Sequence, residues 1–168
     1  FITNRSSGKM GYALAEQAAR RGASVILVSG PVDLPTPHGV ERIRVETTEE
    51  MMEAVLAHFS EADAVIKAAA PCDYRPAQVA QQKIKKHAGA DMTLSMVENP
   101  DIAAELGRRK ASQVLVVFAA ETERVLENAQ GKLERKNADL MVANDVTRPG
   151  AGFDVDTNVV TLITRAGE

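Results

Sequence analysis

Two kinds of residue in this chain could do chemistry: lysines placed to hold anions, and neutral or acidic side chains set in short turns. Lys83, Ile84, Lys85 and Lys86 form a dense ammonium patch. A triphosphate brings several negative charges that need offsetting, and lysines are mobile point charges able to follow a departing pyrophosphate. The same run reads equally as a solvated basic turn. Lys132 and Lys136 are spaced i,i+4, so on a helix both project from one face; alone, such a pair is an ordinary solubilising feature. Near the start, Asn4-Arg5-Ser6-Ser7-Gly8-Lys9-Met10-Gly11 sits where a strand would hand over to a helix. Free N–H groups at a helix start, the Ser6 and Ser7 hydroxyls and the close approach allowed by Gly8 suit a phosphate or carboxylate. An ordinary capped helix, with Ser6 or Ser7 as N-cap, fits the same residues. The spacing matches neither the phosphate loop of P-loop enzymes nor the dinucleotide fingerprint. Ala68, Ala69 and Ala70 leave room for something flat against the backbone, and Asp73 just beyond could accept a hydrogen bond or hold a divalent cation. Small residues for close packing and a turn-capping Asp73 explain that stretch as well.

The elements that must position these residues follow from periodicity. A short strand over 1–3 leads into a helix from about Lys9 to Arg20, stopped by Gly22. Residues 24–29 (SVILVS) form a near-continuous apolar run, as expected of a strand covered on both faces. Gly30-Pro31 and Pro35-Thr36-Pro37 force a loop. Then come a strand over 42–46, a helix over 48–59, a strand over 64–70 and an irregular stretch over 71–91. A short strand (92–96), a helix (100–110), a strand (113–119), a helix (123–136) and a strand (139–143) complete the alternation. Residues 150–156 with the alternating 159–163 read as a hairpin. This predicts an α/β, Rossmann-like, three-layer doubly wound and mainly parallel sheet with a C-terminal β-hairpin. Ligands of such sheets bind at the carboxyl ends of the strands, where most of the residues above fall.

Composition narrows the functional classes. The chain has 168 residues, 45% hydrophobic and 26% charged, with a net charge of -3; this suits one domain and gives no support for a nucleic-acid surface. Its single cysteine, Cys72, excludes an internal disulfide and fits a reducing cytoplasm. His38, His58 and His87 are scattered without metal spacing, and Cys72 has no histidine near it in sequence. No apolar run is long enough to span a bilayer.

Taken together, seven strings resemble bacterial phosphopantothenoylcysteine synthetase: FITNRSSGKMG (1–11), SGPVDLPTP (29–37), AAAPCDY (68–74), KIKK (83–86), ENPDI (98–102), VFAAET (117–122) and ANDV (143–146). They occur in the family's order and span almost the whole chain. The resemblance implies a homodimeric, Mg2+-dependent ligase. In it, CTP activates the carboxylate of phosphopantothenate as an acyl-cytidylate, and the amine of cysteine then displaces CMP. It implies fusion to a decarboxylase domain, which alone carries flavin. By resemblance, Asn4 and Lys83 are the catalytic residues, Asn4 serving conversion of the acyl-cytidylate and Lys83 its formation. Ser6, Ser7, Gly8, Ala69, Asp73, Lys83, Asn99, Pro100, Asp101, Ile102, Phe118, Lys132 and Lys136 fall on nucleotide-contacting positions. Asn4, Ala69 and Ala70 fall on substrate positions, and Asp73 on the metal position. The family's usual first strand and glycine-rich loop are missing from the string, so residues 1–168 are expected to be one ligase domain lacking them. Two other classes stay open on the residues alone: a nicotinamide-dependent Rossmann oxidoreductase and a non-catalytic nucleotide-binding module.

Overall fold

A computed structural model describes residues 4, 6–85, 89, 91–121, 125–145 and 158–167. Helix α1 (Lys9–Arg20) buries Tyr12 and Ala15, and Gly22 ends it at φ 89. Gly22 N–H bonds Ala19 O and Ala23 N–H bonds Ala18 O, the left-handed glycine closing the last carbonyls. Strands β1 (Val25–Ser29) and β2 (Val40–Arg44) pair in parallel, with Val25 opposite Val40 and Ser29 opposite Arg44. Helix α2 (Thr48–Phe59) opens with a capping box, in which Glu50 N–H donates to Thr47 Oγ1 and the Glu50 carboxylate accepts from Thr47 N–H.

Strand β3 (Ala64–Lys67) is followed by two short strands, β4 (Tyr74–Pro76) and β5 (Met96–Glu98), which pair antiparallel with each other. Helix α3 (Ile102–Arg109), strand β6 (Val114–Glu121), helix α4 (Val125–Arg135), and strands β7 (Leu140–Asp145) and β8 (Val160–Ile163) complete the order. The main sheet runs β3-β6-β7-β8, parallel except for β8, which lies antiparallel to β7.

Side-chain alternation assigns the layers. Leu115, Val117 and Ala119 of β6, Met141 and Ala143 of β7 and Ile163 of β8 share one face, with Val65 of β3 packed beside them. That face closes against Phe59 of α2, Ile102, Ala103 and Leu106 of α3, and Ala129 and Leu133 of α4. Each fully buried Leu or Met there contributes about 1.5–3 kcal/mol. Helix α1 lies on the opposite face: the Tyr12 hydroxyl meets Ser29 Oγ at 2.9 Å, and Gly11 approaches Ala68. The result is the expected three-layer arrangement.

Several expectations need correction. The N-cap of α1 is Gly8 at φ 75 with no side-chain cap, rather than Ser6 or Ser7; the two hydroxyls instead accept from Gly8 N–H and Lys9 N–H, both at 3.4 Å. The stretch 71–91 is not wholly irregular, since it contains β4, and the strand expected over 92–96 forms at Met96–Glu98 instead. Strand β1 is not covered on both faces as expected: Ile26 is 39% exposed. The expected strand over 1–3 and the outer arm 150–156 of the hairpin lie outside the described residues; β8 alone shows the antiparallel return. Among the described residues no hydrogen bonding joins β1–β2 to the main sheet.

Candidate anion site at the strand ends

The carboxyl end of β3 gathers much of the expected site. Asn4 Nδ2 donates to Ala70 O at 3.1 Å and Pro71 O at 3.3 Å, which seats the Asn4 turn on the loop after β3. The turn is held from the other side as well. Gly8 has a left-handed φ, and a Cβ there would come within 3.0 Å of Val32. Val32 belongs to the loop that Arg42 fastens, its guanidinium donating to Leu34 O at 2.8 Å while lying 5.3 Å from the Tyr12 ring centre. Glycine suits this position by its left-handed conformation, and a side chain here would also press on Val32.

Asp73 is exposed, and its carbonyl accepts from Asn99 N–H at 2.7 Å. Asn99 latches the same loop with its side chain, donating through Nδ2 to Cys72 O at 2.8 Å and accepting from Arg75 through Oδ1 at 3.1 Å. Its amide is therefore committed to the protein rather than presented to a ligand. Arg75 also forms a 2.5 Å ion pair with Glu49 of α2. Cys72 is a free, half-buried thiol whose backbone, not its sulfur, takes part in this latch.

Asp101 is the N-cap of α3, accepting from Ala104 N–H at 3.0 Å, and Lys136 reaches it at 3.4 Å. Lys132 of α4 and Lys136, one residue past its end, both lie close enough to Lys67 to act on its charge. Asp101 is held below the usual carboxylate range: burial opposes this, but the Ala104 N–H bond and the nearby Lys136 and Lys67 charges outweigh it. Pro100 is half-buried beside it, whereas Ile102 is 3% exposed and packs into the core, leaving only its backbone to face a ligand. Phe118 is half-buried opposite Val142 on the α1 side of the sheet. Ala69 and Ala70 line the half-buried loop after β3. Lys83 stands apart: it is exposed, and no hydrogen bond or ion pair ties it to the other expected residues among those described. Its neighbour Lys86 lies outside the described residues.

One residue at the corner has no motif to announce it. Lys67 is the last paired residue of β3, opposite Val117. Burial and the adjacent Lys136 charge lower its pKa to about 8, Lys132 adding to the effect while Asp101 and Asp73 oppose it. Strand parity and the position of α4 were the only signals that could have placed it there. Among the described residues no group of three or more His, Cys, Asp or Glu could hold a metal ion by itself, and no helix is long and apolar enough to cross a membrane.

The chain as a whole matches known proteins. The family model for the DNA/pantothenate metabolism flavoprotein C-terminal domain covers residues 1–168. The coenzyme A biosynthesis bifunctional proteins CoaBC of Vibrio vulnificus (strain CMCP6) and Escherichia coli (strain K12) are each 51% identical to it, over 170 and 171 residues. Both alignments cover 100% of this chain but 42% of the relative, so the chain spans about two fifths of those proteins' length. A crystal structure of the C-terminal domain of a CoaBC protein superposes with a TM-score of 0.82 at 44% identity, covering 100% of this chain and 74% of that one.

Proposed function

This chain belongs to the DNA/pantothenate metabolism flavoprotein C-terminal domain family, and from that premise we propose that it is the phosphopantothenate–cysteine ligase part of a bifunctional coenzyme A biosynthesis protein. The observation carrying the reading is the meeting of Lys136 with the Asp101 cap, beside the Asn4–Ala70 turn, in a chain half-identical to such proteins. CTP is the activating nucleotide. The phosphopantothenate carboxylate attacks the α-phosphorus, pyrophosphate leaves, and the cysteine amine then displaces CMP from the acyl-cytidylate.

Such chemistry needs no protein nucleophile, because the substrate brings its own. Charge builds on the α-phosphate and the departing pyrophosphate, which is the task of lysines: Lys132 from α4, Lys136 just past its end, and Lys83 from its exposed segment. The Ser6-Ser7-Gly8 turn and the Asn99–Ile102 backbone border the nucleotide, with Phe118 beside its base or ribose. Ala69 and Ala70 give flat room for substrate. Asn4 serves the second step by donating to the acyl oxygen as it gains charge, exchanging one of its two bonds to the loop carbonyls. The exposed Asp73 suits a Mg2+ ion that arrives on the triphosphate, since that metal usually takes one or two carboxylates and completes its shell with phosphate and water. When bound, it would neutralise phosphate charge.

The remaining parts belong to the larger protein. We assign to it a flavin-dependent decarboxylase domain, assembly as a homodimer and a cytoplasmic location. We also assign to polypeptide outside residues 1–168 a strand and glycine-rich loop filling the gap between β1 and β3, whose Ile26 and Ile66 are 39% and 46% exposed. The intact polypeptide supplied with CTP, phosphopantothenate and cysteine should release pyrophosphate and form the amide. Absence of pyrophosphate with both CTP and ATP would falsify the reading.

A further inference from the structure

Lys67 is not accounted for by the chemistry above. It closes β3 on the face that carries α2, α3 and α4, as the parity with Val65 requires. Its side chain is half-buried, and among the described residues its ammonium makes neither a hydrogen bond nor an ion pair. Among the described residues, the charged groups facing it are Lys132 from α4, Lys136 just past its end, Asp101 capping α3, and Asp73 from the loop after β3. These are the charges that act on the Lys67 ammonium. One of the two carboxylates, Asp101, is already engaged by Lys136 and by the first turn of α3.

As a structural residue, a lysine here is a poor choice. Desolvating an ammonium without a direct partner and beside two like charges is unfavourable, and a methionine of similar length would pack without that cost. Snorkelling to water would relieve the strain at a rim position, but the side chain is largely covered. An excess of positive charge at the carboxyl end of parallel strands is what a polyanion site requires before its ligand arrives.

We infer that Lys67 is a third phosphate ligand, closing a clamp with Lys132 and Lys136 on the phosphate chain of the nucleoside triphosphate, from the sheet side while they act from the end of α4 and the turn after it. The inference rests on the ligase reading and names a residue of the same site. The bound phosphates supply the direct counter-charge that Lys67 lacks among the described residues.

The test uses the intact polypeptide as wild type, Lys67→Met and Lys67→Arg, with Mg2+ and CTP. Pyrophosphate release is followed against CTP concentration, CTP binding by calorimetry, and thermal unfolding without ligand. For Lys67→Met, the KM and Kd for CTP should rise on the order of 10- to 100-fold, the loss of one charge-assisted contact. Its ligand-free Tm should stay level or rise, because the buried charge has gone. Lys67→Arg should keep most of the affinity. A methionine variant that binds CTP like wild type overturns the assignment, as does one whose Tm falls along with its affinity. If wild type works and the variant matches it, only the role of Lys67 falls. If wild type releases no pyrophosphate from CTP or ATP, the ligase reading and this inference fall together.

Discussion

Asn4 holds the loop after β3 and is also assigned to the second half-reaction, and the two tasks can be separated kinetically. Asn4→Asp should still release pyrophosphate but accumulate the acyl-nucleotide, with amide formation slowed about 100- to 1000-fold, as for loss of one oxyanion donor. Lys83→Gln should instead block pyrophosphate release. Trapping by acid quench and chromatography distinguishes them, and a shared block would refute this division of labour. Lys67 makes a second prediction, in stability. Its folded pKa is about 8 against an ordinary 10.5, through burial and then Lys136. Below pH 8 both folded and unfolded chains hold the proton. Between about 8 and 10.5 only the unfolded chain does, so stability should rise with pH across that window. Denaturant titrations at several pH values should show this rise, and Lys67→Met should flatten it. The residue types of the site were legible from the string, but their surroundings were not. Asn99 turned out to be a loop latch and Ile102 a core residue, because both depend on partners far away in sequence.

The helices show the most direct passage from sequence to structure. Helices α1 and α2 occupy the residues their periodicity and stop signals predict. Local devices decide their ends, so local sequence reveals them. Thr47→Ala should cost about 1 kcal/mol by removing one arm of the capping box, measurable as a shift in the denaturation midpoint at constant m-value. By contrast, β4 and β5 exist through the Asn99 and Arg75 contacts that span the loop, and no periodicity marks three-residue strands. The crossing of α3 over the end of α4 is another long-range fact. A Cβ on Gly107 would lie 1.9 Å from Lys136 O, and Asn137, at φ 47, donates to Gly107 O at 2.8 Å. Gly107→Ala should therefore lose about 3 kcal/mol or more, since the obstacle is backbone and cannot rotate away. Because the same crossing brings Asp101 to Lys136, CTP use should fall in whatever protein remains folded. Activity per folded molecule equal to wild type would show that the crossing serves stability alone.

At the scale of the whole molecule, β/α alternation was enough to foresee three layers and a mainly parallel sheet. It could not foresee which strand edges would be left open, since pairing is settled by chain that need not be near in sequence. The opposite end of the sheet is well fastened: Lys110 Nζ lies 2.6 and 2.7 Å from the Asp139 carboxylate oxygens, and Asp139 also takes the Leu115 N–H at 2.8 Å. The open edges of β1 and β3 have a practical meaning. On the proposal that a further strand fills the gap between them, residues 1–168 would behave as one half of a split protein. A synthetic peptide carrying the assigned strand should insert between them in trans, adding ladder hydrogen bonds and covering Ile26 and Ile66. Titrating that peptide should raise the Tm of the chain by mass action, and a scrambled peptide should not. An unchanged Tm at saturating peptide would remove the assigned strand from the gap. A positive result would make the domain a reporter: any molecule that competes for the groove would be read as lost complementation, with no substrate, nucleotide or coupled assay required.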